Sequence, residues 1–362
     1  MAAHHQGTCI ERISQLGHWR LRSLFLLSSF SLAEKSIIYY TTMHAIGIDM
    51  SKNTFHAAFD DTTVIVFANT KEGATSFFTA LRARDMTPEE TTIGVESTGV
   101  YHLLLCAQAK ASGWRIVIVN PLEASHMIKA QSLRRMKTDR TDAFAIRMMV
   151  IAGRGYPFTD TDETLTLKAL VVEREGLVTM RAMVKVQHEA HATRARAITS
   201  TLHDGSPHLV ATLDHEILAI DQELRRYAPE TQKLLRSIPG VGPITAASLI
   251  AYVGDINRFS SPEKLVAYTG LDCRVHESGT SIKGKGFITK RGNAHLRKVL
   301  FNAAFIAYQW NPELNAYFLK KTGEGKHYFA ALCAVERKLI HLIYAVWKRG
   351  TPFKKRKLVV AG

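Results

Sequence analysis

Two aspartates in "TDRTDAFAIR", Asp139 and Asp142, stand three positions apart at the head of a segment that reads as helix. Positions i and i+3 share a helix face, so both carboxylates point the same way. Like charges held that close call for a cation, and hard carboxylate oxygens select Mg²⁺ or Mn²⁺. Two further acids end predicted strands, Asp49 in "GIDMSK" and Glu96 in "GVESTG". Brought to one place, the set could hold two ions about 4 Å apart and stabilise both oxygens of a phosphoryl displacement. A plainer reading stands beside this one. Asp139 could be an acid favoured by the helix dipole, and Asp142 a solvated face residue.

A second group lies in "CRVHESGTSIKGKGFITKRGNAHLRK", Cys273 to Lys298. Its basic residues are Arg274, Lys283, Lys285, Lys290, Arg291, Arg297 and Lys298, against the single acid Glu277. Glycines 279, 284, 286 and 292 predict a loop or hairpin that approaches a partner closely. Ser278 and Ser281 lie within it, and a hydroxyl amid so much positive charge could attack a phosphate. Loop serines are more often turn formers.

The charge of the whole chain agrees with such a partner. Lys plus Arg number 47 against 32 Asp plus Glu, a net +15 over 362 residues, which favours a polyanion and above all nucleic acid. A basic enzyme without a polyanionic partner is the alternative. Cys9, Cys106, Cys273 and Cys333 are scattered and match no zinc or disulfide spacing, so they read as reduced cytosolic thiols. "RLRSLFLLSSFSLAEK" resembles a signal peptide, but its apolar run is short, broken by serines and lacks a clear cleavage site. Residues 1–42 are expected to be an extension without a fold role, with Met43 as the natural start.

The elements that must position these groups follow from Met43. Strands are predicted in "HAIGIDM", "NTFHAAFDD", "TTVIVFANT", "TTIGVES" and "WRIVIVNP", with helices in "EGATSFFTALRARD", "VYHLLLCAQAKASG" and most of 122–152. That alternation predicts an α/β domain with a mixed sheet, whose strand ends gather ligand groups. From Glu163 to about Leu235 apolar residues recur at helical spacing among charges, broken by "HDGSPH". This predicts an antiparallel helical pair or a coiled coil, with dimerisation or a packed hairpin as its use. "SIPGVGPITAASLIAYVGD" reads as a helix-hairpin-helix turn, where Gly240 and Gly242 let backbone N–H groups meet a DNA phosphate. Turns of this kind also join helices in unrelated proteins. Gly270 ends a helix in "FSSPEKLVAYTGL", and Asn293 caps the apolar helix after the basic loop.

The ordered series "GIDMSK", "GVESTGVY", "NP", "KTDRTDA", "IPGVGPITA", "AYTGL" and "ESGTSIKGKGFITKRGNAHLR" resembles the IS-one-ten family of insertion-sequence transposases, from about Met43 to Phe353. The resemblance implies a RuvC-like (RNase H-like) domain at 43–160, a helical linker at 161–235, a C-terminal transposase domain at 236–353 and a basic tail. It implies that Asp49, Glu96, Asp139 and Asp142 bind Mg²⁺ or Mn²⁺, and that Ser278 is the nucleophile forming a phosphoserine link to DNA. It further implies guidance by a bridge RNA, a homo-oligomer (dimer or tetramer), and docking between subunits to join serine and carboxylates, and the residues themselves read as cytoplasmic. An invertase or resolvase of the same fold, or a RuvC-like nuclease without a serine step, are the competing readings.

Overall fold

The computed structural model describes residues 44–97, 99–121, 123, 124, 126, 127, 138–198, 204–273, 277, 278, 282, 283 and 288–354. The chain divides into two compact units, up to Thr159 and from Asp160 onward.

The first unit is a mixed sheet. β1 (His44–Met50) pairs antiparallel with β2 (Thr54–Ala58), which pairs antiparallel with β3 (Val64–Ala68). After α1 (Lys71–Arg82), β4 (Thr91–Glu96) returns parallel to β1. Then α2 (Leu103–Ala111) leads to β5 (Arg115–Val119), parallel to β4, and the short β6 (Tyr156–Pro157) closes the order β3-β2-β1-β4-β5-β6. The near-continuous apolar run of β1 reflects burial on both faces, and Ile46 and Ile48 are wholly buried. Phe77 of α1 packs edge-on against Phe55 and Phe67, with centroids 5.6 and 5.5 Å apart.

The helix carrying the paired aspartates, α3 (Asp139–Ile151), lies on the sheet at β1 and β4. Its start is fixed by a capping box in which Thr138 accepts from the Thr141 backbone N–H and Thr141 reaches back to Thr138. Gly47 and Gly94 are direct partners in the β1–β4 ladder. A Cβ on Gly47 would lie 2.2 Å from the Ala143 carbonyl oxygen and the Arg147 nitrogen. One on Gly94 would meet the Val150 side chain at 2.3 Å. The glycine pair is a notch that seats the backbone of α3. Gly47→Ala is therefore expected to lift the helix and lower stability by about 1–3 kcal/mol, read as a drop in melting temperature. Gly94→Ala should cost less, because a side chain can yield where a backbone cannot.

The second unit is helical. α4 (Asp162–Ala195) and α5 (Ser206–Leu224) run antiparallel, joined by ion pairs from Arg174 to Asp221 and Arg181 to Asp214. Then come α6 (Pro229–Arg236), α7 (Pro243–Val253), a 3₁₀ turn, α8 (Pro262–Thr269), the hairpin β7 (Glu277–Ser278) and β8 (Ile282–Lys283), and α9 (Ala294–Trp310). α10 (Pro312–Gly323) and α11 (Tyr328–Arg349) complete it. Proline in the first turn of α6, α7, α8 and α10 uses a position whose N–H has no helical acceptor. One apolar core joins Leu167, Val171 and Leu224 to Leu249, Leu300 and Leu339, so the base of the helical pair belongs to the same core as the C-terminal helices. Among the described residues no helix is long and apolar enough to cross a membrane.

Candidate active site

Side chains on a strand alternate between faces, so Asp49 shares the face of Gly47, and Glu96 that of Gly94. Both acids thus project on the side where α3 is seated. The Arg147 side chain donates to the Ala45 carbonyl (2.9 Å) and pairs with Asp61, and the Arg140 guanidinium donates to the Thr62 carbonyl (2.6 Å). These contacts hold α3 with its first turn toward the end of β1 that carries Asp49. Asp139 is exposed there and Asp142 is buried one turn further in.

The structure brings together Asp49, Asp139 and a residue the sequence reading passed over, His56: their donor atoms lie within 4.8 Å of one another. Glu96 and Asp142 are not part of that close group. The predicted convergence of four acids is thus met by two of them plus an imidazole. Oxygen donors with one nitrogen fit a divalent cation such as Mg²⁺ or, better, Mn²⁺. His56 shows itself only through strand pairing. β1 and β2 form a tight hairpin, and its register sets His56 opposite Asp49.

In the helical unit Ser278 pairs with Ile282 across the β7–β8 hairpin, and Lys283 pairs with Glu277. Arg274, Ser281 and Lys285 lie outside the described residues. The segment between the hairpin and α9 is pinned to the end of α8. The Lys290 N–H donates to the Gly270 carbonyl (3.0 Å), that of Asn293 to Tyr268 (2.8 Å), and the Arg297 side chain to Thr269 (2.9 Å). Lys290 and Arg291 are exposed, whereas Arg297 is half-buried and serves as a brace. His295 in the first turn of α9 contacts Glu175 of α4, whose other oxygen takes Lys298 (2.8 Å), and Ser248 of α7 (3.1 Å). This partly buried network ties the start of α9 to two other helices. Ser248 itself is wholly buried, which excludes it as a nucleophile.

At the turn between α6 and α7, Gly240 has φ 89° and a Cβ there would lie 2.4 Å from the Ala303 carbonyl oxygen. Its glycine serves packing on α9. Gly242, by contrast, faces open space and leads directly into α7. A cleft beside α10 and α11 is lined by Arg337, Lys338, His341, Arg349 and Lys354 against the one acid Glu313. No motif pointed to it.

Beneath Arg297 lies Glu336 of α11, 1% exposed, with Oε1 unbonded among the described residues. Burial pushes its carboxyl up to about 8, opposed only by Arg297, and also pushes the neighbouring Cys333 thiol up. The unfolded chain loses this proton near its ordinary value of 4.5 while the folded chain keeps it to about 8. Stability should therefore fall as pH rises between those values, and be level beyond them. Glu336→Gln is expected to flatten that slope, raising stability at pH 8 by roughly a few kcal/mol, as measured by denaturant titration.

Acids at strand ends in a mixed α/β domain, joined to a strongly basic helical unit, define a DNA-processing enzyme. Residues 46–196 match a model for DEDD transposases, and residues 232–319 match one described as "Transposase IS116/IS110/IS902 family". The "Pilin gene-inverting protein" of Moraxella lacunata is 29% identical over 320 residues, 86% of this chain and 98% of that protein. The "Transposase for insertion sequence element IS1328" of Yersinia enterocolitica is 26% identical over 347 residues, again 86% and 98%. That for IS1111A of Coxiella burnetii is 42% identical over 93 residues, a quarter of each chain. The chain belongs to the IS110/IS116 family of transposases, enzymes that cleave DNA and transfer its strands.

Proposed function

We propose that the protein cleaves and exchanges DNA strands at the ends of an insertion sequence through a phosphoserine on Ser278, guided by a bridge RNA. The observation that carries this reading is α3 seated in the Gly47–Gly94 notch, which sets Asp139 beside Asp49 in a unit matched by the DEDD transposase model. The sheet order, with β1 antiparallel to β2 and parallel to β4, supports a RuvC-like assignment.

Asp49 and Asp139, with Glu96 and Asp142 adjoining, would hold Mg²⁺ or Mn²⁺, which offsets charge developing on the phosphate oxygens. Ser278 Oγ forms the new bond to phosphorus, the bridging P–O bond of the strand breaks, and the serine proton ends on the departing oxygen. Because the phosphoserine conserves the diester's energy, rejoining needs no external energy source. Arg274, Lys283, Lys285, Lys290 and Arg291 bind phosphates, while Arg297 braces the start of α9 against the end of α8. The turn at Gly242 adds a backbone contact, a helix-hairpin-helix use of α6 and α7. Subunit assembly, to which the α4–α5 pair contributes, brings serine and carboxylates to one phosphate. Base pairing by RNA leaves the protein to read backbone and shape.

The test is incubation with labelled element-end DNA, candidate flanking RNA and Mg²⁺, followed by denaturing electrophoresis. A protein–DNA adduct that vanishes with EDTA is expected. Free cleaved ends without any adduct would point to a RuvC-like nuclease instead. A second reading, site-specific inversion, is favoured by the Moraxella relative's name and near-full coverage. It shares the adduct and differs in product, so a plasmid carrying an invertible segment separates the two.

A further inference from the structure

We propose that His56 is a direct ligand of the metal centre, supplying a nitrogen donor between Asp49 and Asp139 and tuning the site toward Mn²⁺. The proposal rests on the reading of those carboxylates as a divalent-cation site. Three observations on separate elements carry it. First, the β1–β2 register pairs His56 directly with Asp49, so their side chains emerge on one face of the sheet. Second, His56 Nδ1 stands 3.8 Å from Asp139 Oδ2. That gap is too long for a hydrogen bond, whose limit is about 3.2 Å for N–H···O. It does match two donors on one ion, since bonds of about 2.1 Å set their ligands roughly 3–4 Å apart. Third, no hydrogen bond among the described residues occupies the imidazole, although the side chain is only 22% exposed.

The chemistry of the donor set then decides the preferred ion. Mg²⁺ takes oxygen ligands and releases its waters reluctantly, whereas Mn²⁺ accepts imidazole readily. A site with one nitrogen among its carboxylates should favour Mn²⁺ more strongly than an all-carboxylate site. Against this stands the simpler role of His56 as a charge partner for the exposed Asp139, which requires no ion. The two make different predictions for a bound metal.

The experiment uses the full chain with Mn²⁺ as probe. Electron paramagnetic resonance counts bound Mn²⁺, and electron spin echo envelope modulation detects a coordinated ¹⁴N. Wild type is expected to show bound Mn²⁺ with ¹⁴N modulation, replaced by the ¹⁵N pattern after labelling of histidine. His56→Gln should keep a bound Mn²⁺ but lose the modulation, with Mn²⁺ affinity reduced at least about tenfold. Mg²⁺ affinity, read by competition, should change much less. Bound Mn²⁺ without ¹⁴N modulation in wild type, or modulation persisting in His56→Gln, overturns the role of His56 and leaves the carboxylate centre standing. Failure of wild type to bind Mn²⁺ at all overturns the centre itself. The wild-type measurement decides the matter even if the variant folds poorly.

Discussion

Asp142→Asn is expected to lower metal-dependent strand cleavage by at least about a thousandfold, with circular dichroism unchanged. The substitution keeps shape and removes charge, so it separates a carboxylate used in chemistry from one used in packing. Asp142 is 8% exposed on the inner side of α3, and a buried carboxylate is costly unless its charge is used. Loss of a single positioned electrostatic group in a phosphoryl-transfer site commonly costs about 10²–10³ in rate, and loss of metal occupancy costs more. Asp139→Asn should follow in the same direction. Single-turnover cleavage of element-end DNA over a Mg²⁺ series is the measurement. Undiminished cleavage by Asp142→Asn protein would remove this residue from the site and leave Asp49, Asp139 and Glu96 as its carboxylates.

Ser278→Ala should abolish the covalent adduct and reduce strand transfer by about a thousandfold or more, while DNA affinity stays within about twofold. Affinity for nucleic acid arises chiefly from lysine and arginine neutralising phosphates, and a serine hydroxyl adds little to that sum. Ser278 sits in a two-residue strand whose partner carries Lys283, so removing one Oγ leaves the hairpin's ladder intact. The competing nucleophile is Ser281, three positions on. Peptide mapping of a trapped adduct distinguishes them, and an adduct on Ser281 or full transfer by the Ser278→Ala protein would sink the assignment. Binding is read in the same preparation by fluorescence anisotropy.

Much of this architecture was legible because local signals agreed with one another. The strand of "HAIGIDM", the capped helix at Asp139 and the left-handed glycine at Gly270 all appear where residue pattern and cap chemistry place them. What escaped was pairing between elements. His56 looked like one polar residue in an alternating strand, and only the register of the β1–β2 hairpin sets it against Asp49. The His295–Glu175 contact joins residues 120 positions apart, which no local pattern reports. Gly240 packs on α9 and Arg297 bonds to the end of α8, contacts that a single sequence does not distinguish from a role in binding. The distinction needs the neighbour's coordinates.

The α4–α5 pair has a mechanical side. A helix of 34 residues extends about 50 Å, yet only Leu167, Val171 and Val184 of α4 are fully buried. Charges meet along its length: Arg174 and Arg181, seven residues apart, pair with Asp221 and Asp214 of α5, and His188 meets Asp204, just before α5, near the tip. The root is clamped by dense apolar packing, which salt does not weaken, while the shaft has few buried apolar residues and adds partly exposed ion pairs worth about 0–1 kcal/mol each. Raising salt shortens the range of those attractions to a few ångströms. The pair is thus a strut fixed at one end whose stiffness along its length is set by the ionic medium. On crowded, counterion-rich nucleic acid it would be more compliant than in dilute buffer.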